Sequence, residues 1–154
     1  MIDDADALRD LILQRRNEER ASSLFRRLVQ RAQLLSGEEL EDLLERAMER
    51  GQLSKDEMLE IIQADLVIRG RRRENDVEVY VVAEGSSEVK TPDVERAVRR
   101  AALSARTAIL TIPGVTGKTV VAEAALLARK SRVWQLADGY AIPPEGGFRS
   151  VPSP

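Results

Sequence analysis

The chain has 154 residues, with 24 basic and 26 acidic side chains, and it contains neither cysteine nor histidine. Without cysteine there are no disulfides, thiolate nucleophiles or sulfur-ligated metal centres. Without histidine there is no imidazole base, no Ser-His-Asp triad and no usual catalytic zinc site. Any chemistry must therefore use carboxylates, hydroxyls, Lys, Arg or a hard cation.

The sequence carries no sign of a membrane or secretory segment. No apolar run approaches the roughly 20 residues that cross a bilayer, and the first residues, Met1-Ile2-Asp3-Asp4, are acidic where a signal peptide would be basic. We therefore expect a cytoplasmic protein with no membrane partner. The near-zero net charge conceals an asymmetry, because residues 1–63 carry 10 basic and 15 acidic groups and residues 64–154 carry 14 and 11. Only the second part has a charge suited to phosphate.

Residues 1–53 are predicted to form a helical region for packing or oligomerisation. Ser36 and Ser54 are each followed by Glu three residues later, which is the capping-box pattern, and Gly51 stands where a helix should end. Apolar residues earlier in this region recur at steps of three and four, as in an amphipathic helix: Leu8, Leu11, Ile12, Leu24, Leu28 and Ala32. We expect a homodimer formed through these N-terminal helices.

Residues 54–142 are predicted to form an α/β (α+β) core with the order αββαβαβ. Runs at 65–69 and 77–84 are rich in β-branched residues and flank a polar turn. Thr91 is expected to cap a helix with Pro92 in its first turn. A strand at 107–112, a helix at 119–130 and a strand at 132–136 complete a mixed sheet covered by helices. The Pro- and Gly-rich tail, 143–154, is expected to be extended or disordered.

A pair of carboxylates follows from the register of the predicted hairpin. If its turn centres on Glu74 and Asn75, the numbers of paired residues sum to 149, and Asp65 lies opposite Glu84. Opposed carboxylates about 5 Å apart repel each other, and a bound Mg²⁺ or Mn²⁺ would relieve the repulsion. Alternatively, both acids end their strands near solvent or pair with local arginines.

At these residues the sequence resembles the PD-(D/E)XK, or restriction-endonuclease-like, nuclease superfamily. The segments 64–70, 79–86 and 93–97 carry the likeness, which covers about residues 55–140 and is to small, mostly uncharacterised prokaryotic members with a helical N-terminal region. The resemblance implies that Asp65 opens the second core strand and Glu84 is the acid of an acid-x-Lys motif. It also implies a metal ligand in the carbonyl of Gly85. Some members use a further acid from the preceding helix, for which Glu60 is the nearest candidate.

One position departs from the motif that the resemblance implies. Ser86 stands where the family has the Lys that activates water and offsets the charge of the phosphate, and a serine supplies no positive charge. Lys90 could replace that Lys if the loop folds back; the alternative is a solvated loop lysine. We therefore expect weak or absent cleavage, with Asp65, Glu84, Ser86 and Lys90 as candidate catalytic residues.

Arginines near this site are candidates for sequence-independent contacts with DNA phosphates. They fall in two groups, one on the hairpin tip and one on the following helix: Arg69, Arg71, Arg72 and Arg73, then Arg96, Arg99 and Arg100. Three functions remain open, namely metal-dependent phosphodiester processing, nucleic-acid binding alone, and a non-catalytic helical module for oligomerisation or protein interaction. A minor alternative is nucleotide binding by a P-loop-like segment at 113–119, which lacks the first glycine of that motif.

Overall fold

The computed structural model describes residues 25–26, 28–107, 110–137 and 140–144. Within them lie four helices: α1 (Gly37–Glu49), α2 (Lys55–Ile62), α3 (Thr91–Ala105) and α4 (Ala122–Lys130). The strands are β1 (Val29–Leu34), β2 (Leu66–Arg72), β3 (Glu78–Gly85), β4 (Glu88–Val89), β5 (Leu110–Gly117), β6 (Thr119–Val120), β7 (Trp134–Ala137) and β8 (Tyr140–Ile142). No helix among these residues is long and apolar enough to cross a membrane.

Six of the strands form one mixed sheet in the order β1-β2-β3-β5-β7-β8. Strands β1, β2 and β3 are antiparallel, β3, β5 and β7 are parallel, and β8 is antiparallel to β7. Helices α3 and α4 make the crossovers between the parallel strands. Strands β4 and β6 form a separate parallel pair. The predicted order αββαβαβ is confirmed from α2 to β7, with β4 and β6 as short additions.

The predicted hairpin register is also confirmed. Leu66 pairs with Ala83 and Arg71 pairs with Glu78, so the paired numbers sum to 149 along β2 and β3. In the turn, the side chain of Asn75 accepts a hydrogen bond from the Val77 amide at 3.1 Å, a bond typical of Asx turns. This register determines which residues of β3 share a face of the sheet.

The sheet is packed on both faces. Helices α1 and α2 cover the face that carries Tyr80 and Val82 of β3, with Leu44 and Ile61 buried against it. Val79 and Val81 point to the other face, where they are fully buried in a second cluster with Phe25. A third cluster joins α3 and α4 to β5 through small side chains: Val94, Ala97, Val115, Ala124 and Ala128.

The helix capping signals at Ser36 and Ser54 are confirmed. Ser36 and Ser54 accept hydrogen bonds from the amides of Glu39 and Glu57, and each glutamate accepts one in return from the amide of its serine. Gly51, with φ of +74°, follows α1 in the left-handed region that favours glycine. Two adjacent boundaries therefore lie within a residue or two of where the sequence placed them.

The expectation of helix throughout residues 1–53 is wrong at Val29–Leu34. This segment is β1, which pairs with β2 and carries an irregularity between Gln30 and Gln33, where Arg31 has φ of 54°. Over so short a window the spacing of Leu28 and Ala32 fits a helix turn and also a bulged strand, and pairing with β2 decides between them. The predicted helices of residues 1–24 lie outside the described residues, and the dimer expected through the helices of residues 1–53 stays a prediction.

Three boundaries in the second half differ from expectation. Thr91 is the first residue of α3 and not its cap, because Lys90 precedes the helix and its amide donates to Asp93 Oδ2 at 2.9 Å. The strand expected at 107–112 begins at Leu110 and continues to Gly117, and the helix expected from Thr119 begins at Ala122. The strand expected at 132–136 is β7, and the tail lies outside the described residues from residue 145.

The P-loop-like alternative is wrong in its geometry. Residues 113–117 belong to β5 and pair with both β3 and β7, so their backbone is extended and its pairing is in use. Lys118 follows the strand with its amide donating to the Ser87 carbonyl at 3.0 Å, and α4 begins four residues later. This segment therefore forms no phosphate-binding loop at a helix N-terminus.

Gly117 allows a close backbone approach, and Gly117→Ala should destabilise the protein. A Cβ there would lie 2.1 Å from the Ser86 carbonyl oxygen, so the backbone would have to shift. We expect a loss of about 1–3 kcal/mol in the free energy of unfolding, measured by urea denaturation. Gly37→Ala is the matched control, because a Cβ there meets nothing within 4 Å. Equal stabilities of the two variants would contradict the close approach.

Candidate functional site

Asp65 and Glu84 meet at the end of the β2–β3 hairpin opposite its turn. Asp65 immediately precedes β2, and Glu84 is the penultimate residue of β3. The Asp65 amide donates to Glu84 Oε2 at 3.3 Å, and the Gly85 amide donates to Asp65 Oδ2 at 2.8 Å. The structure therefore brings together the two acids that the register singled out.

Glu84 is buried and paired with an arginine of α3. Its side chain is 2% exposed, and Arg100 NH1 lies 2.6 Å from Glu84 Oε1. Arg100, itself 7% exposed, also donates to the Gln63 carbonyl at 3.2 Å and lies 3.3 Å from Glu60 Oε1 through its Nε. One guanidinium thus links β3, α3 and the end of α2 through one short, charge-assisted bond to Glu84 and two longer contacts.

Two more arginines of α3 extend this network. Arg96 Nε lies 3.4 Å from Glu84 Oε1, and its other end contacts Asp93. Arg99 NH2 lies 2.6 Å from Glu60 Oε1. The three arginines are spaced at i, i+3 and i+4, which places them near one another on the helix surface. We call the whole set the acid–arginine cluster: Glu60, Asp65, Glu84, Asp93, Arg96, Arg99 and Arg100.

The charges of the cluster are only partly balanced. Burial raises the pKa of Glu84 above its ordinary value, the nearby negative charge of Asp65 raises it further, and Arg100 opposes both effects. The pKa of Glu60 is lowered, chiefly by its hydrogen bond with Arg99. The cluster holds four carboxylates against three guanidiniums, and the unbalanced repulsion lies between Asp65 and Glu84.

The donor set at this pair suits one hard cation. Asp65 is exposed, and its Oδ1 makes no recorded hydrogen bond with the described residues. Glu84 Oε2 and the Gly85 carbonyl lie on the adjoining strand end, and carboxylate and carbonyl oxygens are the ligands that Mg²⁺ prefers. The described residues include no group of three or more acids that could hold a metal, so water would supply most of the coordination. Glu60 is turned to Arg99 and Arg100 and is not placed as a further ligand.

Neither candidate for the missing motif lysine contacts the carboxylate pair. The Ser86 hydroxyl donates to the Glu88 carbonyl at 3.0 Å, and its amide donates to the Thr116 carbonyl at 3.0 Å. Lys90 is exposed, and the hydrogen bond from its backbone amide to the Asp93 carboxylate fixes its backbone at the start of α3. No hydrogen bond or ion pair recorded for the described residues joins either side chain to Asp65 or Glu84.

The hairpin arginines are locally paired and lie away from the site. Three of them meet acids of the same hairpin: Arg69 with Glu78 at 3.9 Å, Arg71 with Asp76 at 3.9 Å, and Arg72 with Glu74 at 3.2 Å. Arg73 donates to the carbonyl of Arg26. Arg72 and Asp65 are separated by the whole of β2, about 20 Å at the rise of a strand. Of the seven candidate arginines, Arg96 and Arg100 contact Glu84, and Arg99 contacts Glu60 beside them.

The alternative that the acids pair with local arginines is confirmed for Glu84. Sequence reasoning assigned Arg96 and Arg100 to DNA phosphates and did not single them out as those partners. It also missed Asp93, which joins Arg96 to the first turn of α3. The i, i+4 spacing of Arg96 and Arg100 is the one signal that could have indicated a shared partner. That signal does not say which acid the helix faces.

Comparisons with protein-family models, with curated proteins and with solved structures find no match for this chain. The geometry of the acid–arginine cluster therefore carries the functional proposal.

The raised pKa of Glu84 predicts how stability depends on pH when metal is removed by a chelator. Over pH values from 4.5 up to the raised pKa, the folded chain keeps a proton on Glu84 that the unfolded chain has lost. The contribution of Glu84 to the free energy of unfolding should therefore fall as the pH rises through that window. Denaturation in urea should show this fall in the native chain and its absence in Glu84→Gln. The same pH slope in both would contradict the raised pKa.

Proposed function

We propose that this chain is a restriction-endonuclease-like domain that binds DNA beside the Asp65–Glu84 pair with one divalent cation, and that it cleaves DNA weakly or not at all. The observation that supports the proposal is the meeting of these two acids at the ends of adjacent strands, next to the arginines of α3. An acid pair beside exposed guanidiniums can bind a phosphodiester and its cation together.

The order of the strands supports the same proposal. Three antiparallel strands, β1 to β3, are followed by a crossover helix, α3, and by a strand parallel to β3. Asp65 precedes the second of these strands and Glu84 lies on the third, in the positions that the resemblance implies for the metal-binding acids. This agreement in strand order supports the proposal.

The residues around the pair have distinct roles in the proposal. Asp65, Glu84 and the Gly85 carbonyl hold the cation, which when bound supplies Lewis-acid polarisation of a phosphodiester oxygen. Arg99 and Arg96, with side chains 56% and 38% exposed, bind the flanking phosphates. Ser86 offers no positive charge, and its hydroxyl is used by the Glu88 carbonyl. Water activation is the function that this set of side chains lacks.

DNA binding should depend on Arg99 and on salt. We expect the native chain to bind duplex DNA at low salt in fluorescence anisotropy titrations, and Arg99→Gln to reduce the slope of log K against log salt by about one. Arg129→Gln, which removes an exposed arginine of α4, is the matched control and should leave the slope unchanged.

Asp65→Asn should remove the part of the DNA affinity that is gained in Mg²⁺ compared with EDTA. No DNA association at low salt, or equal effects of both arginine variants, would contradict the proposal.

Restoring the motif lysine should restore cleavage. Ser86→Lys introduces an amine at the position where the family has its Lys, and we expect Mg²⁺-dependent nicking of plasmid DNA to rise about a hundredfold, the low end for a positioned catalytic group. Ser87→Lys, which adds the same charge one residue away, is the control and should not cleave. If neither variant nicks DNA while both still bind it, the carboxylate pair is not a nuclease site.

A further inference from the structure

The cation site of the proposed function shares a ligand with an ion pair inside the protein. Glu84 would offer its carboxylate to the metal, and Arg100 NH1 already lies 2.6 Å from Oε1 of the same group. The other oxygen, Oε2, accepts a hydrogen bond from the Asp65 amide at 3.3 Å. Metal and guanidinium therefore compete for one carboxylate.

We propose that Arg100 is an intramolecular competitor of the divalent cation and keeps the metal affinity of the Asp65–Glu84 pair low. The inference rests on the proposed cation site and assigns to Arg100 the regulation of that site. While Arg100 holds Oε1, Glu84 can offer the cation only Oε2, as a single ligand atom. The positive charge of the guanidinium also repels the cation at close range, where burial leaves little solvent to screen it.

Arg100 is fixed in this position by contacts on its other nitrogens. Its NH1 also donates to the Gln63 carbonyl at 3.2 Å, and its Nε lies 3.3 Å from Glu60 Oε1. Both partners belong to the end of α2, so the guanidinium cannot leave Glu84 without losing bonds to a second element. These anchors make Arg100 a stronger competitor than an exposed arginine would be.

Arg96 is the weaker of the two competitors. Its Nε lies 3.4 Å from Glu84 Oε1, its side chain is 38% exposed, and its other end contacts Asp93. Solvent screens an exposed group, and the 3.4 Å that separates Arg96 from Glu84 Oε1 is longer than the 2.6 Å of Arg100. Among the residues that the structure describes, the charged groups that face Glu84 are thus Asp65, Arg96 and Arg100, and Arg100 is the buried cation of the three.

The test is calorimetric titration of Mg²⁺ and Mn²⁺ into the native chain, Arg100→Gln and Arg106→Gln in the absence of DNA. Arg106 forms the matched control, because it pairs with Glu57 across the same two helices without contacting Glu84. We expect Arg100→Gln to bind metal at least about tenfold more tightly than the native chain, since a buried positive charge is removed. Arg106→Gln should bind like the native chain.

The other outcomes separate the two proposals. Measurable binding to the native chain, with the same affinity in Arg100→Gln, would overturn the competition and leave the cation site standing. No binding to either folded protein would overturn the cation site, and the competition with it. If Arg106→Gln also bound metal tenfold more tightly, the gain in affinity would come from the change in net charge of the protein. That result would overturn the specific role of Arg100.

If Arg100→Gln does not fold, the proposal can be tested on the native chain by measuring hydrogen exchange of the Arg100 side chain. The side-chain NH groups of Arg100, held by Glu84, Gln63 and Glu60, should exchange slowly with water in ¹⁵N NMR spectra of the metal-free protein. We expect Mg²⁺ to accelerate that exchange, because the cation displaces the guanidinium from Glu84. Unchanged exchange across the whole Mg²⁺ titration would overturn the proposal.

Discussion

The ion pair between Glu84 and Arg100 is the constraint on which the arrangement of this domain depends. An ionised carboxylate that is almost completely shielded from water is costly to bury unless a cation and hydrogen-bond donors meet it. Glu84 lies near the end of β3, and the guanidinium that meets it comes from α3. Helix α3 must therefore dock on the sheet with Arg100 at that point, which fixes both its rotation and its position along β3.

The same arginine orients the helical layer. Because Arg100 also contacts Gln63 and Glu60, the end of α2 is held against α3 next to the end of β3. Ala97 and Ala101 lie on the buried side of α3, and their small side chains let the helix approach closely enough for the guanidinium to reach Glu84. The packing of the alanines and the ion pair with Glu84 thus favour the same position of α3, so the two interactions support each other.

Local signals predicted part of the fold, and the parts they missed depend on distant contacts. The hairpin register followed from a turn of defined chemistry and the two-residue period of strands, so Asp65 and Glu84 could be paired from the sequence. The capping boxes at Ser36 and Ser54 depend only on residues three apart. Strand β1 could not be predicted, because pairing with β2 overrides an apolar spacing that also fits a helix. Which arginine meets Glu84 could not be predicted either, because the answer depends on how α3 is oriented about its own axis when it packs on the sheet.

The chemistry of arginine bears directly on the proposed weak or absent cleavage. Arg100 supplies positive charge to the buried Glu84 carboxylate from another element of the fold, helix α3. A guanidinium keeps its proton near neutral pH, so it can balance charge and bind phosphate but cannot act as the base that activates water. A lysine at position 86 would carry an amine able to exchange protons when partly desolvated. In the proposed site, an arginine in place of such a lysine therefore supplies charge to Glu84 and no group that can take a proton from water.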